Sequence, residues 1–347
     1  MSQALPAGWV RLKQRALAVA QPLAAYLELT YRCNWRCVFC YNPRHADLRG
    51  LSLAQWTEVL DDLRALGTLS LTLTGGEPLT HPHFVAIARA ASHRRFAVRV
   101  FTNGTLVSEE MADAIAAIRP LAVEMSLHGA RAETHEQATG APGSFEAMFR
   151  GLDRLARRGV PLLLKSLVTN LNEHELDGMI ALAAKRGIAH QLDATVTPRD
   201  DGDLSPVRYR PSPDGVRRMY QRAREQGRLP QAERAPGAAN CGLGRVTIAV
   251  GPEGEVYPCL QWRHTSLGNV RVTRLRELWL GSEARAEAAG VAVAANERML
   301  ARGGAQASFP FCPALAAQNT GDPLDPGEEH GAHADIVEGL RAGARAR

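Results

Sequence analysis

The sequence predicts an α/β protein: a parallel sheet curved into a partial barrel of six strand-helix units, followed by a small α+β domain built on a β-hairpin. Three observations predict it. Strand-like and helix-like segments alternate six times between residues 24 and 197. Three of the six cysteines cluster directly behind the first strand-like run. Beyond Val196 the texture changes to a Pro-, Asp- and Arg-rich stretch, and a second cysteine-bearing segment begins at Cys241.

A chain of 347 residues is long for one domain and suits a barrel with a smaller appendage. Apolar residues at 45% and charged residues at 22% give the balance of a globular protein rather than a disordered one. The net charge of +5 comes from arginine, because lysine occurs only at Lys13, Lys165 and Lys185. The basic residues are scattered, which argues against a nucleic-acid partner. In the leading segment, residues 1–23, "RLKQRALAVAQPLAAYLEL" has the flavour of a signal peptide, but Gln21 and Pro22 interrupt its apolar run. No stretch reaches membrane-spanning length. The segment is read as a leading helix running into the first strand of a cytoplasmic protein with no membrane partner.

The barrel region, 24–197, has β-rich runs at "AAYLELT", "LSLTLT", "AVRVFT", "LAVEMSL", "VPLLLKSLV" and "AHQLDATV". Between them lie helical periods such as "SLAQWTEVLDDLRALG" and "SFEAMFRGLDRLARRG". Ser52, Ser108 and Ser144 are expected helix N-caps, and Gly67, Gly159 and Gly187 expected stops. Six such units predict right-handed crossovers, with functional groups gathered at the C-terminal strand edge. Residues 198–240 read as a linker with one short charged helix, and 241–325 as the second domain. There, "CGLGRVTIAVGPEGEVYPCLQW" is a hairpin with a cysteine at each end. Residues 326–347, with "GEEHGAHAD", read as a solvated tail and a weak source of metal ligands.

The cysteines carry the chemistry. Cys33, Cys37 and Cys40 are spaced C-x3-C-x2-C, apart from the dispersed Cys241, Cys259 and Cys312. That division does not suit a disulfide framework. Zinc wants a closed four-ligand shell, and only His45 stands near enough in sequence to complete one. Three thiolates on a 4Fe-4S cubane leave one iron without a protein ligand. One strand later, "TLTGGEPLTHP" places Gly75 and Gly76 where backbone approaches closely, Glu77 as an acceptor, and Pro78 to stiffen the turn.

The cysteine motif followed one strand later by GGEP resembles the radical SAM enzymes over about half the chain, Ala24 to Val196. The resemblance implies a partial (β/α)6 radical SAM barrel and two cofactors, a 4Fe-4S cluster on Cys33, Cys37 and Cys40 and S-adenosylmethionine on its open iron. One electron then yields a 5′-deoxyadenosyl radical that takes hydrogen from a substrate. It also implies Phe39 beside the adenine and Gly75, Gly76, Glu77 and Pro78 around the methionyl amine. Asn103 would line the cavity, Ser126 would meet the ribose, and Lys165 would meet the cofactor carboxylate. His128 is a weaker candidate for a substrate contact.

The second domain resembles a SPASM/twitch extension that has lost cysteines. Cys241, Cys259 and Cys312 would supply three ligands to one auxiliary 4Fe-4S cluster instead of the seven of a full SPASM domain. Enzymes of this type most often mature ribosomally made peptides, so the expected partners are a peptide substrate and a reducing donor such as flavodoxin or ferredoxin. The 32 residues ahead of Cys33 are too few for a leader-peptide recognition domain, so a separate carrier protein is expected as well. A tetrapyrrole or other small-molecule tailoring reaction is the alternative enzymatic reading. A non-enzymatic iron-sulfur or zinc module is the third reading, and it leaves the GGEP turn without a purpose.

Overall fold

A computed structural model describes residues 6–47 and 49–345. Six parallel strands carry the barrel: β1 Ala24–Glu28, β2 Ser70–Thr74, β3 Ala97–Thr102, β4 Ala122–Ser126, β5 Leu162–Leu167 and β6 Ala189–Asp193. Each coincides with one of the β-rich runs read from the sequence. Helices intervene, among them Leu53–Ala65, Phe84–His93, Glu109–Ala117, Ser144–Arg157 and Leu176–Lys185.

Period-2 alternation sorts the strand residues between two faces. Leu27, Leu71, Leu73, Val98, Val100, Val123, Met125 and Leu164 pack outward against the helices as one core. The opposite, concave face carries Tyr26, Glu28, Thr72, Thr74, Arg99, Phe101, Glu124, Ser126 and Lys165. An apolar lumen would be the cheaper core, so a polar one marks the side where ligands are handled.

Helix starts follow local chemistry. Ser52 closes a full capping box with Gln55, and Ser108 accepts from Met111 N. Ser144 departs from expectation: Gly143, at φ +76°, is the N-cap, and Ser144 is the first helical residue. Its hydroxyl shares a 2.9 Å hydrogen bond with Thr139 Oγ1.

The hairpin of the second segment is present, with β7 Thr247–Val250 antiparallel to β8 Glu255–Tyr257 and a short β9, Gly268–Asn269, beyond it. It is not separate from the barrel. β7 pairs in parallel with β1, Ala24 opposite Thr247 through Leu27 opposite Val250, giving one nine-stranded sheet ordered β6-β5-β4-β3-β2-β1-β7-β8-β9. Trp279, fully buried, donates from Nε1 to Ala20 O at 2.7 Å, and Arg274 grips Asp62 with two bonds of 2.7 and 3.0 Å. The main core runs through both parts of the chain.

The C-terminal segment also departs from expectation. Gly327–Arg345 is a helix packed on the helices Pro213–Glu225 and Gly304–Ser308, with Ala334 and Val337 in the main core. The histidines that gave it a solvated look lie against aromatic rings: His330 on Phe309 and Phe311, and His333 on Tyr220.

Candidate functional site

The cysteine loop leaves the C-terminal end of β1 without regular structure and is fastened by its backbone. Arg36 N and Val38 N donate to Thr139 O and Ala138 O at 2.9 and 3.0 Å, and Cys40 N donates to Cys37 O at 3.1 Å. Trp35 is buried, its ring edge-on to His135 at 5.3 Å. Burial pushes the Cys33 thiol up to about 11 and raises Cys37 and Cys40, and the neighbouring thiols add to the rise at Cys33 and Cys37. Arg36 acts on Cys33 and Cys40 and Arg199 on Cys40, but burial outweighs them, and the three thiols are poorly placed as anions by themselves. A cationic iron-sulfur core supplies the missing charge, and the donor set fits it.

The GGEP turn is pressed onto this loop. Gly76 N and Glu77 N donate to Thr30 O and Arg32 O at 2.7 and 2.8 Å. A Cβ on Gly76 would stand 2.6 Å from Tyr31 O and closer still to Arg32 O, while Gly75 sits at φ +139° against Thr30. The close approach read from the sequence is thus made first to the cysteine loop's own backbone. Pro78 opens the short 3-10 turn Pro78–Thr80 and is buried.

Glu77 is completely buried. Its carboxylate accepts from Thr102 Oγ1 at 2.6 Å, Asn103 N at 2.7 Å and Leu79 N at 3.0 Å, filling three of about four lone-pair positions. The Glu77 side chain therefore ties the turn to the end of β3, with little left for an amine. Desolvation outweighs these bonds and pushes its acid up to about 7. With the folded value above the unfolded one, stability from this group is complete below about pH 4.5 and is lost as pH rises through about 7, by a few kcal/mol. Melting temperatures of wild type should fall between pH 5 and 7.5 relative to a Glu77→Gln variant. Parallel curves for the two proteins would refute the assignment.

Asn103 continues the same network. Its Nδ2 donates to Asn34 Oδ1 at 2.8 Å, inside the cysteine loop, and its Oδ1 accepts from Thr105 N and Oγ1. Phe39 meets the buried His128 edge-on at 4.8 Å. His128 is held neutral, its pKa depressed to about 3 by desolvation. Ser126, half-buried, ends β4 directly opposite Lys165 of β5. Lys165, expected at the cofactor carboxylate, also has partners within the sheet. Its Nζ lies 2.7 Å from Glu124 Oε2 and 4.1 Å from the Phe101 ring centre, and Arg99 holds the other Glu124 oxygen at 2.7 Å.

One group was missed from the sequence altogether. Glu28, fully buried at the end of β1, pairs with Arg263 at 2.6 Å and accepts from Tyr41 Oη at 3.1 Å. Arg263 also stacks over Tyr257 and stands 3.7 Å from Asp200, whose acid burial pushes up to about 6. Partners 235 positions apart leave no local signal; only the charges themselves could have hinted at it.

The remaining cysteines meet at the far side of β7. Cys241 precedes the hairpin, Cys259 follows it, and Cys312 caps the helix Pro313–Thr320. Cys312 feels both other thiols of the set and Cys241 feels Cys259, and burial pushes Cys312 up to about 12. Ala314 N and Leu315 N point at Cys312 and Leu243 N at Cys241, donors that favour thiolates once a metal core is present. Tyr26 of the lumen also feels Cys259, so this group borders the barrel interior. Among the described residues no three His, Cys, Asp or Glu side chains are grouped tightly enough for one metal ion. A cavity of about 840 Å³ lies between β6, the helix Pro213–Glu225 and the segment Phe309–Leu315, and a second of about 320 Å³ lies between that segment, the helix Pro313–Thr320 and the start of the last helix, with Cys312 on the wall of both.

Comparison with known proteins agrees with this construction. The Radical SAM superfamily matches residues 27–183, and SPASM, an iron-sulfur cluster-binding domain, matches residues 241–304. The chain is 30% identical to mycofactocin maturase MftC of Mycolicibacterium smegmatis, over 93% of this chain and 84% of that one. It is 28% identical to PqqA peptide cyclase of Ruegeria pomeroyi, over 76% and 75%, and 28% identical to AdoMet-dependent heme synthase of Methanosarcina barkeri, over 77% and 84%. Among solved structures, native anSMEcpe with bound AdoMet and Cp18Cys peptide superimposes with a TM-score of 0.71 at 15% identity, covering 93% of this chain and 97% of that one. Streptococcus suis SuiB bound to precursor peptide SuiA gives 0.64 at 13%, covering 80% and 70%. The chain is an enzyme of the radical SAM superfamily with a C-terminal SPASM domain, and its cofactors are 4Fe-4S clusters and S-adenosylmethionine.

Proposed function

We propose that this enzyme matures a ribosomally made peptide by removing hydrogen from it and forming a crosslink or related new bond. The observation that carries the reading is the cavity of about 840 Å³ between the open edge of the barrel and Cys312, large enough for several residues of an extended chain. The names of two relatives, a peptide cyclase and a mycofactocin maturase, support it.

When bound, the cluster and S-adenosylmethionine supply the electron and the 5′-deoxyadenosyl radical. Cys33, Cys37 and Cys40 hold that cluster, and Cys241, Cys259 and Cys312 hold one auxiliary cluster with a fourth position left to another ligand. Phe39 walls the adenine. Gly75, Gly76 and Pro78 shape the turn that receives the methionyl amine, with Glu77 and Asn103 bracing it from behind. Ser126 reaches the ribose, and Lys165, steadied by Glu124, faces the cofactor carboxylate. The lumen keeps water from the reacting carbon. A carrier for the leader segment and a flavodoxin- or ferredoxin-type donor complete the system, in a reducing cytoplasm where such clusters survive. Among the described residues no helix is long and apolar enough to cross a membrane.

The reduced enzyme, given precursor peptides with and without a carrier, should yield products lighter by two hydrogens per event in mass spectrometry. The match to a heme synthase favours a second reading, a tetrapyrrole substrate. Turnover of a porphyrin with no peptide changed would move the assignment there.

A further inference from the structure

We propose that the peptide substrate docks as an added β-strand on the open edge of β6. The inference rests on the peptide reading above and adds where and how the chain is held. β6 is one of the two outer strands of the sheet, with β5 on one side only. In a parallel ladder a residue turns both its N–H and its C=O to the same neighbour. Asp193 O accepts from Val168 N, on the β5 side, at 2.6 Å. By alternation Gln191 and Ala189 also face β5, and the main-chain groups of His190 and Leu192 face away. His190 O confirms the direction, since it accepts from Arg228 Nη2 at 3.4 Å, and Arg228 follows the helix on the outer side.

That outer side is the larger cavity. Its walls are β6 itself with Leu192 and His190, the helix residues Met219 and Tyr220, and Phe311 and Cys312 opposite. An exposed strand edge is a template for another chain, and proteins blunt it where pairing is unwanted. Here the edge borders a roomy slot, and the long Arg228 bond is the only side-chain contact on His190 O among the described residues. The occupant that satisfies such an edge is an extended peptide, whose own N–H and C=O groups complete the ladder while alternate side chains enter pockets. Because β6 turns Gln191 and Asp193 to the lumen, in register with Lys165 and Leu167 of β5, every second side chain of the added strand would also enter the lumen. The remaining side chains would lie against the aromatic wall beside Cys312. Register on β6 would thus select which substrate residue faces the reacting carbon.

The test uses the cluster-loaded, full-length enzyme with S-adenosylmethionine. A random dodecapeptide phage library is panned on it, and a selected peptide is resynthesised with single N-methyl groups moved along its backbone. Affinity should fall about tenfold or more at every second position and little between them. Amide exchange at His190 and Leu192 should slow at least tenfold when the unmodified peptide is bound. A flat N-methyl profile, or protection confined to the cysteine loop, overturns strand addition even if the peptide is turned over, and the peptide reading then survives alone. If no peptide binds and a porphyrin is turned over, both readings fall together.

Discussion

Replacing Cys37 with alanine abolishes the conversion of S-adenosylmethionine to 5′-deoxyadenosine by the reduced enzyme. Cys37 is the middle thiol of its loop, and its rise is caused first by burial and then by Cys40 and Cys33. A cubane held by the two remaining thiolates has lost a ligand that nothing nearby replaces. The fold should survive, because the loop is anchored by main-chain bonds from Arg36 and Val38 to Thr139 and Ala138. Reconstituted wild type should hold about eight irons per chain, and a variant lacking Cys33, Cys37 and Cys40 about four, the totals for two cubanes and one. Continued 5′-deoxyadenosine formation by the Cys37 variant, or zinc in place of iron in the triple variant, would sink the assignment.

The second large effect is on stability. Arg263→Met removes the cation that partners the fully buried Glu28 and leaves it the Tyr41 hydroxyl. Losing one member of such a pair costs about 3–5 kcal/mol, because the surviving charge keeps its desolvation penalty and loses its compensation. Adding Glu28→Gln should recover most of this, since the amide still accepts from Tyr41 and carries no charge. Urea melts of the single and double variants give the coupling directly. Additive losses in the double variant would mean that the pair contributes packing alone.

The strands were legible because alternation and β-branched residues are local signals, and all six barrel strands lie where those runs fall. The cysteine loop and GGEP turn were legible because their spacing is short. What was not legible depends on distant partners. Nothing in "TIAV" or "AAYLE" says that β7 will pair with β1, because the two runs stand more than two hundred positions apart. The partner of Lys165 was hidden because Glu124 lies on another strand, and Glu77 looked available because two of the three donors that occupy it come from the end of β3. Ser144 missed its cap because Gly143 takes φ +76° more cheaply than serine does. The last helix was misjudged from its polar texture, since Ala334 and Val337 are few among charged neighbours.

The pairing of β7 with β1 also bears on how the two metal-binding parts are to be studied separately. Excising the residues beyond 240 would not release a finished barrel. It would strip β1 of the four residue pairs it makes with β7, leaving Ala25 and Leu27 on a bare strand of a curved sheet. Such a strand invites a second copy of itself, so a shortened protein would be expected to aggregate rather than to report on the first cluster alone.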